Sequence, residues 1–207
     1  MRSEVLVACA MAIALSVVLH NVRIWTMPYG GSVTLASALP IWVVARRYGL
    51  RPGMTAGAAA GCISFVFKPF AVHPLQVLLD YPLAWGALGL AALTPSPVSG
   101  ALLSTFVRFA LQVTSGLLFF RSTLPAALDP MLASMFYNLY LLPDMVIAVA
   151  CMGPLAVRAP HLLRLPPEAP PAAPRTSGSF LAGPLLMMLA GLAVFAGALV
   201  TLRSRLP

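Results

Sequence analysis

Four polar side chains sit where apolar sequence should not tolerate them cheaply: Asp80, Arg108, Asn138 and Asp144 each interrupt a hydrophobic run. A charge at the centre of a membrane-spanning helix costs roughly 2.5–3.5 kcal/mol on insertion scales, so each needs a reason. Asp80 is followed directly by Tyr81 and preceded by His73 and Pro74, Gln112 falls one helical turn after Arg108, and Asn138 lies within FYNLY. Two uses are open. Asp80 and Arg108 form an ion pair that fixes helix packing while Asn138 makes an interhelical hydrogen bond worth about 1 kcal/mol. Alternatively, a carboxylate, a phenol and an amide converge among Trp25, Trp85, Phe119 and Phe120. The second arrangement suits a flat, cationic heteroaromatic ligand, since a carboxylate answers charge, aromatic faces stack and amides read ring nitrogens.

Catalytic signatures are missing. No G-x-S-x-G, H-E-x-x-H or phosphate-binding loop occurs. His73 stands before a proline, a capping or interface position, and His20, His73 and His161 are too scattered to form a metal site. The chain is therefore expected to be neither an enzyme nor a metalloprotein, and to hold no cofactor. Cys9, Cys62 and Cys151 lie inside apolar blocks without C-x-x-C spacing and are expected to be small packing residues.

The elements that must position these groups follow from composition. The 207 residues are 60% hydrophobic and 9% charged, with a mean hydropathy of +0.91. The apolar residues come in blocks of about twenty, the length a helix needs to cross a bilayer. The expected fold class is an all-α integral membrane protein. Such a chain has no room for a soluble catalytic domain or a nucleotide-binding cassette, so the energy for any transport comes from a partner or a gradient.

Helices are expected over residues 5–19, 33–45, 54–67, 75–93, 101–120 and 131–157. A loop covers 20–32, a turn with three arginines covers 46–53, and Pro143 should kink the sixth helix. The third block is rich in Gly and Ala, which lets membrane helices approach closely. A domain at 1–157 is followed by a proline-rich linker at 158–179, and 180–207 holds an additional apolar helix with a basic tail. The net charge of +8 comes from basic residues at block ends with no aromatic interleaving, a topology signal rather than a nucleic-acid surface. A cytoplasmic N-terminus puts Arg2, Arg46, Arg47, Arg51, Arg158, Arg164 and Arg175 inside, against Arg23, Lys68, Arg121, Arg203 and Arg205 outside. The chain is thus read as a multi-pass protein of the cell membrane.

Two stretches, GGSVTLASALPIWVVARRYGLRPG (30–53) and HPLQVLLDYPLAWGALGLA (73–91), resemble the thiamine-specific substrate-binding (S) component of energy-coupling factor (ECF) transporters. RFALQVTSGLLFF (108–120) and SMFYNLYLLPD (134–144) resemble it more loosely, in the expected order. The resemblance implies a six-helix S-component-like bundle that captures thiamine outside the cell. It also implies partners: a transmembrane coupling protein and two ATPase subunits. By resemblance, Asp80 and Tyr81 match a Glu-Tyr pair, Arg108 a basic residue and Asn138 an Asn of the ligand pocket, with Gln112, Phe120 and Trp25 completing the candidate site. Ala10 and Ala14 match small residues on the first helix where the coupling protein docks.

The chain also departs from the family pattern. Gln112 stands in place of His, Phe120 in place of Trp, Ala133 in place of Tyr, and Asp80 is a methylene shorter than Glu. Thiamine is the leading ligand. A related vitamin or thiamine precursor, and a membrane scaffold whose polar groups serve packing alone, are the alternatives.

Overall fold

The computed structural model of the protein describes residues 3–27, 31–121 and 129–164. The described chain forms α1 (Ser3–Asn21), an antiparallel hairpin of β1 (Arg23–Thr26) and β2 (Ser32–Thr34), α2 (Leu39–Tyr48), α3 (Leu50–Phe67), α4 (Pro74–Leu93), α5 (Pro97–Phe119) and α6 (Pro130–Arg158). It is an all-helical membrane fold apart from the hairpin. Four of these helices, α1, α4, α5 and α6, are long and apolar enough to cross a bilayer. The additional helix expected within 180–207, and most of the linker before it, lie outside the described residues.

Several expected boundaries move. The loop over 20–32 contains β1, and Val33 and Thr34, expected to open the second helix, instead pair in β2. α2 continues past Ala45 to Tyr48, and its ten residues span only about 15 Å. The turn expected over 46–53 shrinks to Gly49, whose φ of 95° lies in the left-handed region and joins α2 to α3. No atom lies within 4 Å of a Cβ built there, so backbone conformation and not space calls for glycine. Ala159–Arg164 do not run free as a linker. Pro160–Leu162 form a short 3₁₀ turn and Leu163 is buried against the core.

The core centres on α2, where Ile41 and Trp42 are fully buried and Trp42 Nε1 donates to Ser104 Oγ of α5 at 3.0 Å. Against it α3 and α4 pack backbone to backbone. Gly53, Gly57 and Gly61 recur every four residues along one face of α3. A Cβ on Gly57 would strike the Trp85 carbonyl oxygen, and one on Gly61 the Tyr81 carbonyl oxygen. From the other side, a Cβ on Gly89 would strike the Met54 amide nitrogen. This is the close approach expected of the Gly/Ala-rich block.

α4 is not one regular helix. It widens into a π turn at Leu79–Leu83, containing Asp80 and Pro82, and tightens to 3₁₀ over Ala87–Leu93. Pro82 has no amide hydrogen for the ladder, and the wider turn absorbs that loss. In α6 the helix is interrupted at Leu139–Tyr140, just ahead of Pro143, which cannot donate to the carbonyl four residues earlier. α5 and α6 begin on matched signals. Ser96 and Asp129 accept from the first free amides, and Pro97 and Pro130 occupy the first turns.

Arg46 is a correction to the charge reading. Expected as a topology signal, it is 2% exposed and donates only to carbonyls: Nε to Leu163 at 3.0 Å, Nη2 to Pro95 at 2.7 Å, and Nη1 to Thr94. It closes the C-terminal end of α4 and ties the residues after α6 to it, a favourable place for a cation. Cys62 is exposed on α3, unlike Cys9, which is buried.

The hairpin is held from a distance. Asp144 Oδ1 accepts from the Thr34 amide at 2.7 Å and from the Thr34 hydroxyl at 2.6 Å. Gly31 N donates to the Tyr137 hydroxyl at 3.1 Å. Asp144, one of the four costly polar residues, thus serves architecture.

Two outcomes follow. Arg46→Met leaves buried carbonyls without donors and should lower stability by about 1–3 kcal/mol, whereas Arg47→Met should change it by less than about 0.5 kcal/mol; thermal unfolding in detergent compares them. Gly57→Ala and Gly61→Ala should lower the melting temperature, while Gly153→Ala, with nothing within 4 Å of its built Cβ, should hold or raise it, since alanine favours helix by roughly 0.5–1 kcal/mol.

Candidate functional site

A cavity of about 760 Å³ opens between the hairpin, the ends of α1 and α3, and the facing walls of α4, α5 and α6. Helical spacing supplies two of the walls: Gln76 with Asp80, and Tyr81 with Trp85, lie one turn apart along α4, as do Arg108, Gln112 and Ser115 along α5. The π turn contains Asp80 and Tyr81, both of which line the cavity.

Of the candidate ligand residues, Asp80, Tyr81, Arg108, Gln112, Phe120 and Asn138 all line this cavity. Asp80 Oδ2 accepts from Gln76 Nε2 at 2.6 Å, and Gln76 Oε1 accepts from the Val72 amide at 3.1 Å, so one glutamine links the carboxylate to the loop after α3. The Tyr81 hydroxyl points to the Lys68 carbonyl at 3.5 Å, and its ring meets Phe65 edge-on. Gln112 Oε1 accepts from the Tyr140 hydroxyl at 3.2 Å. Phe120 stacks on Phe70 with centroids 5.7 Å apart.

Two packing expectations change. Asp80 and Arg108 make no ion pair; they face the same cavity from α4 and α5 without meeting, the carboxylate turned to Gln76. Arg108, 5% exposed, lies with its guanidinium carbon 5.0 Å from the Trp85 ring centroid, a cation–π contact. Asn138 makes no interhelical bond of the expected kind: its Nδ2 donates to Ser134 O, one turn back in α6, at 2.9 Å.

Trp25 is not in the cavity. It is 58% exposed on β1, because a bulge between Arg23 and Trp25 reverses the alternation of the strand and leaves Arg23 facing inward. Phe119 likewise stacks on His73 outside the lining, centroids 4.9 Å apart. His73 also caps α4, its Nδ1 accepting from Leu75 N at 3.1 Å. Ala10 and Ala14 lie exposed on the outer face of α1, away from the buried Cys9, Ala12 and Ser16.

Sequence reasoning missed much of the lining. His20 meets Trp85 edge-on at 5.0 Å, and Ser64, Lys68, Gln76 and Tyr140 also face the space. His20, Arg23 and Lys68 read as block-end polarity, and only the i, i+4 spacing of Gln76 with Asp80 signalled a partner. Five buried side-chain atoms among the described residues have no hydrogen-bond partner: His20 Nδ1, Arg23 Nε, Ser64 Oγ, Arg108 Nε and Ser115 Oγ. All five residues line the cavity. Buried polar groups in native proteins are nearly always paired, so their concentration here marks a surface built to receive polar contacts.

Known proteins share both the sequence pattern and the architecture. Residues 6–164 match the sequence profile of the family described as thiamine transporter protein. The thiamine transporter ThiT of Bacillus subtilis (strain 168) is 31% identical over 180 residues, covering 78% of this chain and 92% of that protein. ThiT of Lacticaseibacillus paracasei is 24% identical over 181 residues, covering 77% and 88% respectively. A solved structure of ThiT from Listeria monocytogenes superposes with a TM-score of 0.71 at 20% identity, over 80% of this chain and 99% of that one, a likeness of fold. With the matched profile spanning every helix from α1 to α6, the chain belongs to the thiamine transporter protein family.

Proposed function

We propose that this protein captures thiamine in the 760 Å³ cavity and acts as the substrate-binding subunit of an ATP-driven ECF transporter. Family membership supports the ligand. The observation that carries the site is the gathering of every unpartnered buried side-chain nitrogen and oxygen of the described residues around one cavity. Thiamine has a cationic thiazolium ring, an aminopyrimidine and a hydroxyethyl arm. Asp80 is the only carboxylate among the described lining residues, and it answers the cation. Trp85 and the Phe70–Phe120 stack offer flat apolar faces, while Gln112, Asn138 and Ser115 supply hydrogen bonds to ring nitrogens and the amino group. A low-dielectric wall strengthens each of these contacts relative to water.

The chain's polarity supports an N-terminus in the cytoplasm. Arg47, Arg51, Arg158 and Arg164 gather near the start of α1, where Tyr48 meets Glu4, and the cavity opens at the opposite end beside Arg23, Lys68 and Arg121. The cavity then faces the outside, where the vitamin is met. Ala10 and Ala14 leave a shallow stretch on the outer face of α1, and a helix of the coupling protein approaches closest over small side chains.

Asp80→Asn should weaken thiamine binding about ten- to a hundredfold, the loss of a charge-assisted hydrogen bond worth roughly 1.5–3 kcal/mol. Titration calorimetry on the detergent-purified protein reads this, and unchanged affinity in a folded variant removes Asp80 from the site. For docking, Ala14→Trp should abolish thiamine uptake in cells supplied with a coupling protein and its ATPases while leaving thiamine affinity within about threefold. Loss of both together would assign that face to the fold, and loss of neither would move the docking surface elsewhere.

A further inference from the structure

The ligand cavity takes in the first half of α4 and the last half of α5; a second pocket, of about 510 Å³, lies where α4 ends and α5 begins. Its described lining includes Arg46, Arg164 and three prolines, Pro95, Pro97 and Pro160. Proline brings no amide donor, so the two arginines set the polarity of the space. Arg46 is buried. The carbonyls of Ala91, Thr94, Pro95 and Leu163 accept from four of the five N–H groups of its guanidinium. Carbonyls solvate a guanidinium without neutralising it. The carboxylates of the described residues are committed elsewhere: Asp80 to Gln76, Asp144 to Thr34, Asp129 to the first amides of α6 and Glu4 to Tyr48. The pocket therefore holds two cations and no anion among its described residues.

Apolar surface leads away from this charge. Val98 and Leu102 lie exposed one turn apart on α5, starting beside Pro97, and Val157 is exposed beside Ala156 of the lining. An occupant with an anionic head and apolar tails fits both features. We propose that the pocket binds an anionic phospholipid, its phosphate seated between Arg46 and Arg164 and its acyl chains running along the exposed flank of α5. The guanidinium fork matches two phosphate oxygens, and the first turn of α5, which borders the pocket, adds the positive end of a helix dipole. Basic pockets between membrane helices recognise acidic head groups in this way. A zwitterionic lipid would bring its own cation against Arg164 and the exposed Arg158 at the end of α6, so the preference is for net negative charge. The bound lipid anchors this end of the bundle in its leaflet, and it does so whatever occupies the ligand cavity.

The test is thermal unfolding of the full chain in dodecyl maltoside with dioleoyl phosphatidylglycerol or dioleoyl phosphatidylcholine added at equal mole fraction. Wild type, Arg164→Gln and Arg51→Gln are compared, and the melting temperature in phosphatidylcholine serves as the control for folding. Arg51 is exposed at the start of α3 and does not line the pocket, so its variant removes a basic charge from elsewhere. In the wild type, phosphatidylglycerol should raise the melting temperature by about 3 °C or more over phosphatidylcholine, as a ligand bound only by the folded chain does. Arg164→Gln should lose most of that difference and Arg51→Gln should keep it. A wild type stabilised equally by the two lipids overturns the proposal. Equal losses in the two variants overturn it too, because they assign the effect to overall basicity and not to this pocket. Stabilisation by glycerol 3-phosphate alone as large as that by phosphatidylglycerol makes the pocket a site for free anions and overturns the lipid assignment.

Discussion

The cavity depends on how closely α3 and α4 approach. Gly57 and Gly61 bring the α3 backbone onto the carbonyl oxygens of Trp85 and Tyr81, two residues that line the cavity. Any Cβ at these positions would move the wall itself. Pro82 sits in the same stretch and denies α4 a regular ladder, so the helix widens around Asp80. A contact normally associated with helix pairing thus sets where a carboxylate, a phenol and an indole stand relative to one another.

The two ends of the molecule treat polar groups in opposite ways. At the end near Arg46, a buried cation has found carbonyls for its donors, from Thr94, Pro95 and Leu163, and needs no carboxylate. Toward the hairpin, His20, Arg23, Ser64, Arg108 and Ser115 each keep a buried atom unpaired. Leaving such atoms unpaired is costly, of the order of 1–3 kcal/mol each, so stability alone would not gather them in one place. Satisfaction at one end and its absence at the other divide the protein into a part that holds and a part that receives.

Much of this was legible from residue type. Asp80, Arg108 and Asn138 stood out because charge and amide are expensive in apolar helices, and they line the cavity; Asp144 stood out for the same reason and instead pins the hairpin. Cost identifies a polar residue that has a task without saying which one. The hairpin itself escaped notice because its strands are four and three residues long and the bulge spoils their alternation. That bulge also separated Trp25, read as a ligand contact, from Arg23, read as a topology signal, and exchanged their places. Arg46 was misread because a buried arginine satisfied by carbonyls has no sequence partner to announce it. The i, i+4 spacing within α4 and the glycine period of α3 were readable because helical geometry converts spacing directly into a shared face.

The bond between Thr34 and Asp144 joins residues 110 positions apart. A ribosome feeding this chain into a bilayer releases the hairpin early and its anchor almost at the end of the bundle. Until α6 has been inserted, β2 has no carboxylate to receive its amide, and Tyr137 is not present to hold Gly31. The pocket wall is therefore the last part of the molecule to be assembled, after helices whose contacts are more local have already met. A partly synthesised chain exposes its polar lining without enclosing it, so the cavity belongs to the finished bundle and to no earlier stage of its biogenesis.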